Sequence, residues 1–161
     1  MKILVVSDTH RKDENLKLVL EQVCPVDMLI HLGDAEGSER FIPEWVNPHC
    51  FMAMVQGNND FFSTLKPELE IEIGPHKVFL THGHYYGVSM GPEGLADEAK
   101  SRGCDIAMYG HTHSPFLEEI DGVTVLNPGS LSYPRQEGRR PSYMIINAEE
   151  DGQMQYQQMY L

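Results

Sequence analysis

An α/β fold built on a parallel sheet is what this chain predicts, from three observations. Over residues 2–32 an apolar run, a helical stripe and a second apolar run follow one another, the strand–helix–strand order that makes neighbouring strands parallel. Five apolar runs stop at residues with ligand chemistry: Ser7-Asp8-Thr9-His10, Gly33-Asp34, Gly57-Asn58-Asn59-Asp60, Thr81-His82-Gly83-His84 and Gly110-His111-Thr112-His113. The last third turns to short runs joined by Asp-Gly pairs, the texture of antiparallel hairpins.

Residues 2–7 are rich in Val and Ile, the pattern of a strand buried on both faces. Residues 14–23 place Leu16, Val19, Leu20 and Val23 on one helical stripe, with Asp13 as N-cap and Pro25 beyond the end. The run from Asp27 to Leu32 then reaches Gly33-Asp34, so Asp8 and Asp34 belong at the same edge of the sheet. Ser38 to Val46 reads as a short helix turning Phe41, Ile42 and Trp45 inward, with Pro43 blurring its start. A third strand near Cys50 to Val55 ends at Gly57-Asn58. Residues 68–73 alternate strictly, as suits a strand with one face in water, and after Gly74-Pro75 the run His76 to Thr81 delivers His82. Pro92 to Arg102 has proline in the first turn and Gly103 past the end, which reads as a helix leading into the strand Asp105 to Tyr109. Phe116 to Ile120 and Val123 to Leu126 form a hairpin about Asp121-Gly122. Ser142 to Ala148 and Gln153 to Tyr160 form a second about Asp151-Gly152, pairing within the chain although the tail could meet another subunit's edge.

The length suits one domain over residues 1–161, with no linker, repeat or low-complexity tract. No apolar run approaches the roughly 20 residues of a membrane span, and Met1 to Val6 reads as a first strand, not a signal peptide. Cys24, Cys50 and Cys104 are odd in number and sit in or beside apolar runs, which reads as reduced, buried thiols in a cytoplasmic protein. A net charge of −12 argues against extended nucleic-acid binding, yet a small phosphorylated ligand responds to the local field of a site, which bound dications would make positive.

Asp8, His10, Asp34, Asn58, His82, His111 and His113 offer oxygen and imidazole nitrogen donors with no thiolate, a set suited to Mn²⁺, Fe, Zn²⁺ or Mg²⁺. Seven ligands exceed the needs of one ion. If one carboxylate bridges, they fill two sites with positions open for water and substrate. Two dications about 3.5–4 Å apart lower the pKa of a bridging water and clamp both oxygens of an in-line displacement at phosphorus, which is the chemistry of phosphoester hydrolysis.

Asp-x-His, Gly-Asp, Gly-Asn-x-Asp, His-Gly and Gly-His-x-His, in this order, resemble the calcineurin-like metallophosphoesterase family across essentially the whole chain. The short length and the segment Asn127-Pro128-Gly129-Ser130-Leu131-Ser132-Tyr133-Pro134-Arg135 bring the resemblance closest to the small phosphodiesterases of the YfcE type, with the retromer subunit Vps29 a relative. The resemblance implies a four-layer α/β/β/α sandwich and two divalent ions per chain, manganese first, with Ni²⁺, Zn²⁺, Fe or Mg²⁺ as alternatives. It assigns Asp8, His10 and His113 to one ion and Asn58, His82 and His111 to the other, with Asp34 bridging.

The sequence departs from the family where many members carry a histidine after Gly-Asn. It has Asn59 there, and an amide cannot be a general acid. That points to a phosphodiesterase acting on a small phosphoester rather than an efficient phosphomonoesterase, with His84 either the substitute acid or phosphate contact or a partner that orients a ligand. Asn59, Arg135 and Arg11 are the candidate substrate contacts, Asp60 a supporting hydrogen-bond partner, and Asn127 and Ser130 the residues that close the loop beneath the histidines. His31 reads as a satisfied core residue. Specificity belongs to the loops around Phe61-Phe62, Tyr85 to Gly91 and Tyr133 to Arg140. A non-catalytic protein-binding scaffold is the rival expectation, and a homodimer or higher oligomer is compatible with either.

Overall fold

The computed structural model describes residues 1–161 as two five-stranded sheets flanked by helices. The first sheet holds β1 (Lys2–Val6), β2 (Met28–His31), β3 (Phe51–Met54), β9 (Ser142–Ala148) and β10 (Met154–Tyr160), in the order β10-β9-β1-β2-β3. The second holds β4 (Glu68–Ile73), β5 (His76–Thr81), β6 (Ile106–Met108), β7 (Pro115–Ile120) and β8 (Val123–Pro128), in the order β4-β5-β6-β8-β7. β1 pairs parallel to β2 from Ile3 opposite Met28 to Val6 opposite His31, and β2 pairs parallel to β3. β5 and β6 are parallel in the second sheet. All five ligand-bearing loops therefore leave carboxyl ends of parallel strands, where open α/β sheets bind ligands.

Strand periodicity explains the layers. Ile3 and Val5 of β1 pack into a central core with Val78 and Leu80 of β5 and Ile106 and Met108 of β6, so the two sheets lie face to face. Leu4 and Val6 point the other way, onto Leu16, Val19, Leu20 and Val23 of α1 (Glu14–Val23). Phe79 and Ala107 of the second sheet meet Leu95, Ala96 and Ala99 of α3 (Glu93–Ser101). Three apolar interfaces separate four layers. The central strands are apolar on both faces because each face is covered, whereas β4 keeps Leu69, Ile71 and Ile73 on the core and its glutamates outside.

Three local expectations change. Asp13 stands at the α1 N-cap but makes no capping bond; its Oδ2 accepts from Ser38 Oγ at 2.7 Å. A cap contributes about 1 kcal/mol, while burying the four α1 side chains contributes roughly 6–12 kcal/mol gross, so packing holds the helix without it. The segment from Ser38 splits into a 3₁₀ turn (Ser38–Arg40) and α2 (Ile42–Trp45). The tighter turn rotates the face, leaving Ile42 buried and Phe41 54% exposed. Among the thiols only Cys104 is fully buried; Cys24 and Cys50 are half-buried, and all three are free. The tail pairs with β9 in the same chain, and β10 is a sheet edge. No helix is long and apolar enough to cross a membrane.

Candidate metal centre

Strands of the first sheet lead into Asp8, His10, Asp34 and Asn58, and strands of the second into His82, His111 and His113. Asp8 Oδ1 lies 3.1 Å from His113 Nε2, 3.7 Å from His10 Nε2 and 3.8 Å from His82 Nε2. Asp34 Oδ2 lies 3.3 Å from His82 Nε2 and 3.8 Å from His10 Nε2. Asp8, His10 and His113 form one donor group and Asp8, Asp34 and His82 another, each with ligand atoms within 4.8 Å. Asp8 is shared by the two groups, whereas Asp34 belongs to the second and approaches the first only at His10. Asn58 Oδ1 and His111 Nδ1 are 3.0 Å apart, and the His111 ring centre is 5.2 Å from that of His82. The structure brings all seven expected donors to one edge of the two sheets.

Hydrogen bonds behind the rings fix how they face the centre. His82 Nδ1 donates to Leu32 O (2.6 Å) and His113 Nδ1 to Tyr133 O (2.8 Å), since a carbonyl only accepts. His10 Nδ1 faces the Glu36 carboxylate at 2.9 Å. Three neutral imidazoles so held would turn Nε2 lone pairs toward two carboxylates, with His10 Nε2 and His113 Nε2 only 3.2 Å apart. Asp8 Oδ1 and His82 Nε2 are buried without a hydrogen-bond partner. Orphaned acceptors facing each other require positive charge between them, either a proton or a metal ion, so the residues fit a cation.

Acid–base behaviour agrees. Burial works against charge on His10, but the Asp8 and Glu36 carboxylates outweigh it and push its pKa up to about 9. Burial opposes ionisation of Asp34 also, yet the nearby His82 ring and the hydrogen bonds from Asn59 hold its pKa down at about 2. Asp8 is driven below the usual carboxylate range against burial by His10 and His113.

Tight backbone geometry sets these side chains. Asp8, His10, Arg11, Asp34, Glu36, His111 and His113 all have φ between +47° and +67°, a conformation that costs L-residues energy and gathers at functional sites. Asp60 holds that strain: its carboxylate accepts from Asp34 N (2.8 Å), Glu36 N (2.6 Å) and Gly57 N (2.6 Å). It thus supports the Asp34 loop and, through Gly57, the start of the Asn58 loop. Ser7 Oγ and His111 N donate to Asp8 Oδ2 at 2.6 and 3.0 Å. Asn127 donates to Gly110 O and Thr112 Oγ1, and Ser130 to Asp8 O, closing the floor beneath the histidines.

The outer candidates divide. Asn59 donates its backbone N–H to Asp34 Oδ1 and its amide to Asp34 Oδ2, both at 2.8 Å, so its side chain grips a carboxylate rather than standing free. His84 lies 5.4 Å from His82 and 6.0 Å from His111 between ring centres, with Nδ1 buried and unpartnered. Burial and the neighbouring His82 push its pKa down. Arg135 lines a cleft of about 660 Å³ opening on His10 and His113, whereas Arg11 lies in an adjoining cleft with Arg40, Phe61 and Phe62. Glu36 and Arg139 also line the Arg135 cleft; the sequence did not single out Glu36, and pointed to Arg139 only as part of the loop Tyr133 to Arg140. Neither belongs to a ligand-type run, and only their positive φ and the fold bring them to the site.

The model of the calcineurin-like phosphoesterase superfamily domain matches residues 1–151. The probable metallophosphoesterase YsnB of Bacillus subtilis is 34% identical over 152 residues, covering 94% of this chain and 86% of that protein. The structure of an archaeal phosphodiesterase superposes with a TM-score of 0.78 at 29% identity, over all of both chains. Vps29 of Entamoeba histolytica, a single mutant, shares the fold with a TM-score of 0.78 at 24% identity, over 100% of this chain and 99% of that one.

Proposed function

The chain belongs to the calcineurin-like phosphoesterase superfamily, and from that premise we propose that it is a phosphodiesterase hydrolysing a small phosphoester with two divalent cations held between its sheets. One observation supports this above the rest: Asp8 Oδ1 and His82 Nε2, both buried and unpartnered, face each other at 3.8 Å. Asp8, His10 and His113 would hold one ion, Asn58, His82 and His111 the other, and Asp34 both. Manganese is the proposed ion, with Ni²⁺, Zn²⁺, Fe or Mg²⁺ as competitors for the same nitrogen and oxygen donors. Such a pair, when bound, activates water at neutral pH and offsets the charge that develops during displacement at phosphorus.

The chain's own residues decide what that chemistry can act on. Asn59 clasps both oxygens of Asp34 and fixes its orientation. Carbonyls and the Glu36 carboxylate hold the three imidazoles with Nε2 inward, so substrate enters a site already organised. His84 is the side chain best placed to meet a leaving oxygen. Its lowered pKa leaves it neutral near pH 7, able to donate a hydrogen bond but a weak source of a full proton. Esters with good leaving groups are therefore favoured. The free cysteines suit a reducing, cytoplasmic setting. The fold shared with Vps29 favours a protein-binding scaffold as the second reading, although a scaffold has no use for the full donor set.

Hydrolysis of bis(p-nitrophenyl) phosphate by metal-stripped protein, before and after Mn²⁺, tests the proposal, with Asp34→Asn and a matched monoester beside it. Turnover that requires metal, prefers the diester and falls at least about a hundredfold in Asp34→Asn is expected. Two ions bound per chain with no turnover under Mn²⁺, Ni²⁺, Zn²⁺ or Mg²⁺ would sink it in favour of the scaffold.

A further inference from the structure

We propose that Arg135 and Arg139 form a second anion site beside the metal centre, recognising a non-scissile phosphate of the substrate. The substrate class is then a phosphodiester that carries a further phosphate on one of its two alcohols. The inference rests on the phosphodiesterase reading and narrows it.

The cleft of about 660 Å³ is lined by His10 and His113 together with Tyr133, Arg135 and Arg139. Small-molecule sites span roughly 300–1,000 Å³, so it has room for far more than the reacting phosphate. The wall is tied directly to the centre. His113 Nδ1 donates to Tyr133 O at 2.8 Å and Arg135 N donates back to His113 O at 2.9 Å. The Tyr133 ring stands edge-on to His10, 5.4 Å between centres, with Lys12 Nζ 4.2 Å from the centre of the Tyr133 ring. Arg139 closes the turn after Arg135, its N–H donating to Gln136 O at 2.9 Å with φ at +44°.

Neither guanidinium has a partner. In a chain of net charge −12 the one arginine paired with side-chain carboxylates is Arg102, at the end of α3, which meets Glu68, Glu70 and Glu98. Glu36 is the one carboxylate on the cleft wall, and it is committed to His10 Nδ1. Two dications against Asp8 and Asp34 would leave about +2, which already exceeds the single charge of a diester. The two arginines are in excess of what the scissile group needs. Exposed guanidinium groups on a cleft wall suit phosphate, whose oxygens they can bind in pairs.

The test uses two thymidine p-nitrophenyl phosphodiesters differing only in a free or phosphorylated 3′-hydroxyl, with Mn²⁺-loaded protein. Calorimetric binding of thymidine monophosphate and bisphosphate, with and without metal, gives a readout separate from turnover. Wild type should favour the phosphorylated diester about tenfold or more in kcat/KM, and bind the bisphosphate tighter by a similar factor even without metal. In the double variant Arg135→Gln, Arg139→Gln both preferences should fall to about twofold or less, and Arg135→Lys should keep part of them. Turnover of both diesters at equal efficiency would overturn the anion site and leave the phosphodiesterase reading standing. Binding preference without turnover of either diester would do the reverse, and absence of both would overturn the two together.

Discussion

His31 lies three residues before Asp34, yet its chemistry concerns stability. Its Nδ1 accepts from Gly33 N at 3.2 Å while Nε2 meets Thr9 Oγ1 at 3.0 Å, so the ring is neutral with both nitrogens used. Burial pushes its pKa from the ordinary 6.5 down to about 4. The unfolded chain takes up this proton at higher pH than the folded one. The contribution is therefore fully present above 6.5 and lost as pH falls toward 4, an amount on the order of 3 kcal/mol. Denaturant titrations of wild type and His31→Asn near neutrality and at about pH 4.5 measure it as the difference between the two acid losses. Equal losses in both proteins would refute the assignment. Ligand residue types were legible in the sequence because carboxylates and imidazoles have few other reasons to end apolar runs together. The grip of Asn59 on Asp34 was not, because it depends on how two loops from β2 and β3 meet.

Elements constrain the site through glycine in two different ways. A Cβ on Gly57 would strike Asp34 Oδ1 and the Asp34 backbone nitrogen, whereas Gly122 sits at φ +81° with open space around it. Gly57→Ala should displace Asp34, remove at least one bound ion per chain and cut activity by about a hundredfold or more. Gly122→Ala should cost about 1 kcal/mol of stability through its backbone conformation while metal binding stays intact. Metal content after equilibrium dialysis, with thermal melts, separates the two, and wild-type metal content in Gly57→Ala would contradict the steric argument. The Asp121-Gly122 hairpin was readable because both residues need positive φ, which short polar and glycine residues tolerate. Where Ser38 to Trp45 changed from 3₁₀ to α was not, since that depends on which side chains the neighbouring core admits.

At the scale of the molecule, two sheets carry the donors and a cation would tie their edges together. Ligand binding to the folded state alone stabilises by mass action, about 2.7 kcal/mol at a hundred times Kd. Protons compete for the same place. In the metal-free protein the carboxylates beside His10 raise its pKa from 6.5 to about 9. Its stabilising charge is complete below 6.5 and disappears as pH climbs through 9. Metal-free protein should therefore melt at falling temperature over that interval, and the rise on adding Mn²⁺ should be greater at its upper end. Scanning calorimetry at both ends checks this, and a metal-induced rise that shrinks with pH would contradict it.

By itself the sequence determined the alternation of strands and helices, the hairpins and the chemistry of the ligand set. These follow from local periodicity, turn stereochemistry and side-chain type, all of which are written along the chain. Only the tertiary structure decided that Asp8 is shared by the two donor groups, that Asp60 bears the strain of the Asp34 loop, and that Arg139 shares a cleft with Arg135. The parallel strands bring residues more than a hundred positions apart to one edge, as Asp8 and His113 show at 3.1 Å. Contacts of that kind are fixed by the three apolar interfaces that align the sheets, and no stretch of sequence contains them.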